Sequence, residues 1–255
     1  MSGRVASSAV TLALLTACSS AGSLHEIAIE TPLQPKLDVS SFSRILIAGF
    51  IAGGSDEVDA NRETARLLRS QLRNRSDLRV VEADVMALAD MALRKEVGEG
   101  FGDAVPLAEP NTITEEQELE EYERVFADIG FWQELGTSYQ QPLIVTGTVL
   151  FTPHARAGFV TQEQESYDSF GRRRVVPVRA YRERTGYVLS QKFIFIDGRT
   201  GATLYTESHR EEILYEADQN TPALSSYFEL MDRLIPTFLG ALSTETIRGT
   251  RILLR

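Results

Sequence analysis

Residues 42–50 (FSRILIAGF) form a near-continuous apolar run. A strand of that composition must be covered on both faces, which calls for a sheet with helices packed against it. Gly53, Gly54, Ser55 and Asp56 follow, and they read as a break in the strand that offers helix N-cap residues. Val58, Ala65, Leu68 and Leu72 then recur at helical spacing, with Arg62, Arg66, Arg69 and Arg73 on the other faces. Residues 77–82 (DLRVVE) read as a second strand. A strand, a helix and a strand in about 40 residues predict a crossover with parallel pairing.

Further along, residues 85–97 carry a helical pattern and 98–110 a glycine- and proline-containing loop. An acidic helix is predicted from Thr114, with Leu119, Tyr122, Phe126, Ile129 and Trp132 facing inward. Residues 143–151 (LIVTGTVLF) make a third strand. Residues 187–196 and 202–215 read as a long antiparallel hairpin around the turn DGRTG at 197–201. Thr221 followed by Pro222 predicts an N-cap with proline at the first helical position. The helix after it buries Leu224, Phe228, Met231, Ile235, Phe238 and Leu242 and should kink at Pro236. Residues 248–255 (RGTRILLR) suit a last edge strand. The expected fold class is α/β: a mixed sheet in the order β-α-β-α-β-β-β-α, with helices packed on it. One domain spans 38–255, with insertions at about 98–138 and 152–184.

The amino terminus carries a different message. Arg4 and the terminal amine precede an apolar stretch at residues 5–15, of signal-peptide length and too short to span a bilayer as an anchor. Leu15, Thr16 and Ala17 then lead to Cys18, the chain's single cysteine. A large aliphatic residue three positions before a cysteine, with small residues between, resembles the lipobox read by lipoprotein signal peptidase. Residues 1–17 are therefore expected to be a signal peptide, Cys18 the lipidation site, and 18–37 a tether punctuated by Pro32 and Pro35. Ser19 and Ser20 follow, with no aspartate after the cysteine. By resemblance to enterobacterial sorting this favours the outer membrane, facing the periplasm, over the inner membrane.

Composition narrows the function. The chain has 26 basic and 36 acidic side chains, a net charge of −10, which becomes −11 when residues 1–17 and with them Arg4 are removed. Such a chain does not seek nucleic acid through its average field. One cysteine excludes an internal disulfide and a multi-thiolate metal site. His25, His154 and His209 lie far apart without metal-ligand spacing, so no metal is expected. Gly49, Gly53 and Gly54 lack the Lys-Ser/Thr of a phosphate-binding loop and the spacing of a dinucleotide site, so no cofactor is expected. No nucleophile-elbow motif occurs. The carboxylates are too abundant for any pair to stand out. The expectation is a protein that is not an enzyme.

Charge is unevenly placed along the chain. No basic residue falls between Lys95 and Arg124, where Glu109, Glu115, Glu116, Glu118, Glu120, Glu121 and Glu123 gather. Arg172, Arg173, Arg174, Arg179, Arg182 and Arg184 crowd the segment before the hairpin. Two separate solvated faces would explain this. The sharper expectation is a protomer interface in which Glu115, Glu116 and Glu118 of one copy meet Arg172, Arg173 and Arg174 of the next, or arginines that bind an anionic polymer or lipid headgroup.

The order of elements, with SRILIAGF at the start, PLIVTGTV in the middle and FIFIDGRTGATLY in the hairpin, resembles a group of envelope proteins. That group includes the curli secretion channel lipoprotein, the amino-terminal domain of the Tol-system propeller protein and the Pel polysaccharide export lipoprotein. The resemblance covers roughly residues 40–245. It implies periplasmic assembly, often as rings, self-association or envelope protein partners, and no enzymatic activity. The resulting expectation is a non-enzymatic structural or accessory component of an envelope export or assembly system, held to the membrane by lipid on Cys18. The alternative is an oligomeric outer-membrane secretion channel subunit whose 152–184 segment spans the membrane. Arg172–Arg174 and the polar run TQEQES at 161–166 weigh against a lipid-facing strand and favour an extended loop or soluble hairpin.

Overall fold

A computed structural model describes residues 24–75, 78–92, 113–216, 219, 221–243 and 245–254. The described residues divide into two compact units: those within Gln34–Glu245, and a smaller one that combines residues 24–33 with 246–254. In the smaller unit, β1 (Leu24–Leu33) pairs with β8 (Glu245–Leu254) in a two-stranded sheet, and Arg248 Nε donates to Glu30 Oε1 at 3.0 Å. Leu24–Leu33 falls within the stretch read as a tether. The carboxy-terminal strand, expected at the edge of the main sheet, pairs with β1 instead.

The larger unit is a mixed α/β domain. Its sheet contains β2 (Arg44–Ile47), β3 (Ile51–Gly54), β4 (Arg79–Val80), β5 (Leu143–Tyr167), β6 (Arg173–Asp197) and β7 (Thr203–Glu216). The order is β4-β2-β5-β6-β7, with β3 also on β5. β2 pairs in parallel with β4 and β5, as the crossover pattern predicts, and β5, β6 and β7 are antiparallel. The sheet is open.

The apolar run at 42–50 is interrupted, and the cause is a bulge. Residues 48–50 stand opposite only Thr146 and Gly147 of β5, between the pairs Ile47↔Val145 and Ile51↔Thr148. Gly49 and Gly147 take φ of +142° and +144°, a region that favours glycine, and Thr146 Oγ1 donates to Gly49 O at 2.8 Å. Gly53 and Gly54 continue the strand as part of β3 and do not break it. α1 (Ala60–Arg75) is capped by Asp59, whose Oδ1 accepts from Arg62 N–H at 3.0 Å. Ser55 and Asp56, the expected caps, precede it in the turn.

Two apolar layers sandwich the sheet. On one face α1 and α4 (Ala223–Leu242) bring Ala65, Leu68, Leu72, Leu230, Leu234 and Phe238 against Ile45, Val145, Phe193 and Phe195. Tyr227 is fully buried between these helices; its hydroxyl donates to Ala60 O at 3.1 Å and contacts Thr64 Oγ1. Burial pushes its phenol far above the ordinary tyrosine value. Tyr227→Phe is expected to cost about 1 kcal/mol, read as a lower denaturant midpoint at unchanged slope, because Thr64 keeps its own bond to Ala60 O. The cap of α4 is Pro222, with no side-chain cap bond, so the helix starts one residue later than Thr221 suggested. It runs on through Pro236, where the carbonyl left without a donor, on Asp232, belongs to a solvent-exposed residue.

The other face carries α2 (Glu116–Tyr122), a 3₁₀ turn (Glu123–Ala127) and α3 (Ile129–Ser138). The single acidic helix expected here is split because Asp128 accepts from Phe131 N–H at 3.1 Å and caps a new helix. Leu119, Tyr122, Phe126 and Trp132 face inward as predicted, whereas Ile129 is exposed.

Candidate functional site

β5 and β6 run 25 residues each, far longer than the sheet they belong to. β3 leaves β5 after Gly54↔Phe151, and β7 leaves β6 after Glu216↔Arg184. From Ala157↔Glu183 to Tyr167↔Arg173, eleven cross-strand pairs continue as a two-stranded ribbon. At about 3.3 Å per residue, that is an arm of about 35 Å. The segment expected to be an extended loop or hairpin is thus a direct extension of two core strands.

The base of the arm is clamped. Glu216 at the end of β7 accepts from Arg182 Nη1 at 2.8 Å and from Arg184 Nε at 3.1 Å. The hydrogen bond from Arg182 holds the Glu216 carboxyl below the usual carboxylate range. Arg182 also reaches along the strand to Gln162 Oε1 at 2.9 Å.

Beyond that base the arm exposes apolar side chains. Phe159, Tyr167, Val175, Val176, Val178 and Tyr181 are all exposed, Phe159 at 67% of its surface. Phe159 and Tyr181 are cross-strand partners whose rings meet edge to face at 5.4 Å, and Arg179 lies over the Phe159 ring at 5.2 Å. The register sorts the arm's charge. One face carries Phe159, Glu163, Glu165, Tyr167, Arg173, Val175, Arg179, Tyr181 and Glu183. The other, between Arg182 and Arg174, carries Val160, Gln162, Gln164, Val176, Val178 and Ala180, with no charge. The sequence reading that put charge on both faces holds only for the ends of this second face.

The residues singled out from sequence are dispersed. Leu15, Thr16, Ala17 and Cys18 lie outside the described residues. Glu115 caps α2, Glu118 folds back to accept from the Thr114 and Glu115 N–H groups, and Glu116 lies 3.4 Å from Arg210. Arg172 pairs with Asp168 at 3.0 Å and Arg173 with Glu165 at 2.6 Å, and Arg174 approaches Asp168 at 3.8 Å. Among the described residues no ion pair joins the acidic set to the arginine set within one chain.

Two clefts lie among the described residues on opposite sides of the candidate site's sheet. One of about 130 Å³ between α2 and the sheet is lined by Glu116, Glu120, Glu123, Ser190 and Lys192, with the Lys192 ammonium 2.7 Å from both Glu123 oxygens. Another, of about 290 Å³, lies at the start of α1 beside Gly53, Gly54, Asp56 and Asp59. Its two carboxylates oppose an anion. His25 lies in β1, while His154 and His209 stand 3.5 Å from Glu212 and Glu207 respectively. Among the described residues no group of three His, Cys, Asp or Glu side chains could hold a metal ion, and no helix is long and apolar enough to cross a membrane.

No protein-family model matches the chain, and no curated protein matches it. Among solved structures, the crystal structure of lipoprotein GNA1162 from Neisseria meningitidis is similar over 77% of this chain and 97% of its own, at 12% identity and a TM-score of 0.33. Agreement at that level carries no argument about function.

Proposed function

We propose that the protein is a lipid-anchored, non-enzymatic structural component of a bacterial envelope export or assembly system, and that its copies join through the arm. The observation that carries this reading is the arm's unpaired outer edges: among the described residues neither β5 beyond Phe151 nor β6 before Arg184 has a second neighbour. An isolated two-stranded ribbon is marginal in water, and an open edge is a template for another strand. A neighbouring arm supplies that strand. On the charged face β5 contributes Glu163 and Glu165 and β6 contributes Arg173 and Arg179, so β6 of one arm beside β5 of the next places opposite charges together. Such a contact is head-to-tail and closes a ring when the rotation permits. The lipobox-like residues ending at Cys18 support the anchor, and Ser19 and Ser20 support the outer membrane.

The test is the mass, by light scattering in detergent-free buffer, of the chain from Ser19 onward. It is compared with a variant whose residues 158–182 are replaced by an Asn-Gly turn. A defined multimer for the first and a monomer with an unchanged cooperative melting temperature for the second are expected. A monomer for both, or a multimer for both, removes the arm from assembly.

A second reading, the secretion channel, draws on the uncharged face. The eight residue steps from Arg174 to Arg182 span about 26 Å, close to the roughly 25 Å apolar band of a membrane barrel. Gln162 and Gln164 count against it. Dye release from vesicles by the intact chain but not by the arm-shortened one would support the channel.

A further inference from the structure

The end of the arm has a chemistry of its own. Residues 168–172 close a turn on themselves: Asp168 N–H donates to Arg172 O at 3.0 Å and Gly171 N–H to Asp168 O at 2.9 Å. Asp168 Oδ1 accepts from the Phe170 and Arg172 N–H groups, both at 2.9 Å, and Oδ2 accepts from Arg172 Nε at 3.0 Å. Gly171 supplies the left-handed corner at φ +75°. The backbone bond from Arg172 holds the Asp168 carboxyl below its usual range, so it stays a charged acceptor in the turn. With these groups engaged internally, the turn is rigid. What it presents is Phe170, 81% exposed, with the Arg172 guanidinium over its ring at 5.4 Å. Tyr167 stands exposed beside it, and Arg173 and Arg174 follow on opposite faces of β6.

A turn braced to hold an aromatic ring in water places that ring for a partner. Charge and distance say which. Residues 157–183, the ribbon and its turn, hold five arginines and four carboxylates, a net +1, so the rest of the chain carries −11. An anionic surface repels that remainder. The arm holds its tip about 35 Å beyond the end of β7, several times the roughly 8 Å screening length of physiological salt. The tip therefore meets such a surface with its own arginines and without the field of the acidic body. An exposed aromatic flanked by long cationic side chains also matches the two layers of a bilayer interface, acyl boundary below and phosphates above.

We propose that the turn at 168–172 docks on the headgroup region of an anionic lipid bilayer, with Phe170 at the acyl boundary and Arg172, Arg173 and Arg174 among the phosphates. The mode of assembly does not enter this inference; mass reports the arm's flanks and vesicle binding reports its tip.

The experiment uses the chain from Ser19 onward, which keeps every described residue and lacks the apolar amino-terminal stretch and Cys18. It is sedimented with vesicles of phosphatidylcholine alone or of phosphatidylcholine mixed with phosphatidylglycerol. Binding to the mixed vesicles is expected to be at least about tenfold stronger, and to fall about tenfold in Phe170→Ala and in the double variant Arg173→Glu, Arg174→Glu. These side chains are exposed; because Arg173 pairs with Glu165, an unchanged melting temperature is the control for the double variant. In Phe170→Trp, emission should shift to the blue on adding mixed vesicles, above the constant signal of buried Trp132. Equal binding to both vesicle types, or undiminished binding by Phe170→Ala, overturns the inference. So does a blue shift that follows protein concentration or inorganic phosphate without vesicles; the first would assign the tip to a second copy, the second to a free anion.

Discussion

Replacing Trp132 with alanine is expected to lower the unfolding free energy by about 3–5 kcal/mol. Trp132 is fully buried and is the largest side chain in the layer formed by α2 and α3. Its ring meets Phe131 edge to face at 4.8 Å and stacks on Phe126 at 6.3 Å, so two aromatic residues lose their common packing partner at once. The indole Nε1–H donates to Val125 O at 2.9 Å, the carbonyl that leads from the 3₁₀ turn toward α3, and alanine leaves it without that donor. Against a total stability of about 5–15 kcal/mol for a domain, the loss is a large fraction. Guanidinium unfolding followed by far-ultraviolet dichroism measures it. A drop below about 1 kcal/mol would mean that the helices on this face are not integral to the fold.

Gly147→Ala comes next, at roughly 2–5 kcal/mol. At this position φ is +144° and a Cβ would stand 1.8 Å from Lys192 O, a backbone atom of the neighbouring strand that cannot step aside alone. The position is also where β2 and β3 change register on β5, and the Gln191 amide donates to Thr148 O at 3.0 Å just beyond it. Gly158→Ala serves as the comparison. It lies on the same strand, has nothing within 4 Å of an added Cβ, and should change stability by less than about 0.5 kcal/mol. Similar losses for both glycines would place the cost in strand propensity and remove it from the bulge.

The contrast between these glycines marks where sequence reading succeeds. The core strands at 143–151 and 187–196 were legible because they are rich in apolar and aromatic side chains and the second is bounded by the turn DGRTG, and α1 and α4 because Ala65, Leu68 and Leu72 or Met231, Ile235 and Phe238 keep helical spacing. The arm was not. Phe159 and Tyr181 fall on one face and Val160 and Val178 on the other, so the two half-apolar faces cancel any alternation along a single strand. Only the cross-strand register shows that the carboxylates of β5 and the central arginines share a face. Capping was misplaced where a competing feature won: Asp128 splits an acidic stretch that has helical composition throughout, and Pro222 takes the cap position that Thr221 was expected to fill. The bulge at 48–50 needed the partner strand to be seen, since an extra residue has meaning only against a count on the other side. Of the candidate site, the arginine cluster was visible in sequence and falls on the arm, but Phe170 carries no pattern in sequence and acquires its prominence only from its place at the turn.

Because β5 and β6 pass from the core to the arm tip without an interruption in pairing, the arm has no hinge. A force applied at Phe170 travels along two covalent backbones tied by cross-strand bonds and arrives between the helical layers, where Thr146 and Gly147 face the bulge at 48–50. Whatever the tip engages, the body must follow it as a lever follows its handle, and a sideways load there strains a place in the sheet where an extra residue gives it slack.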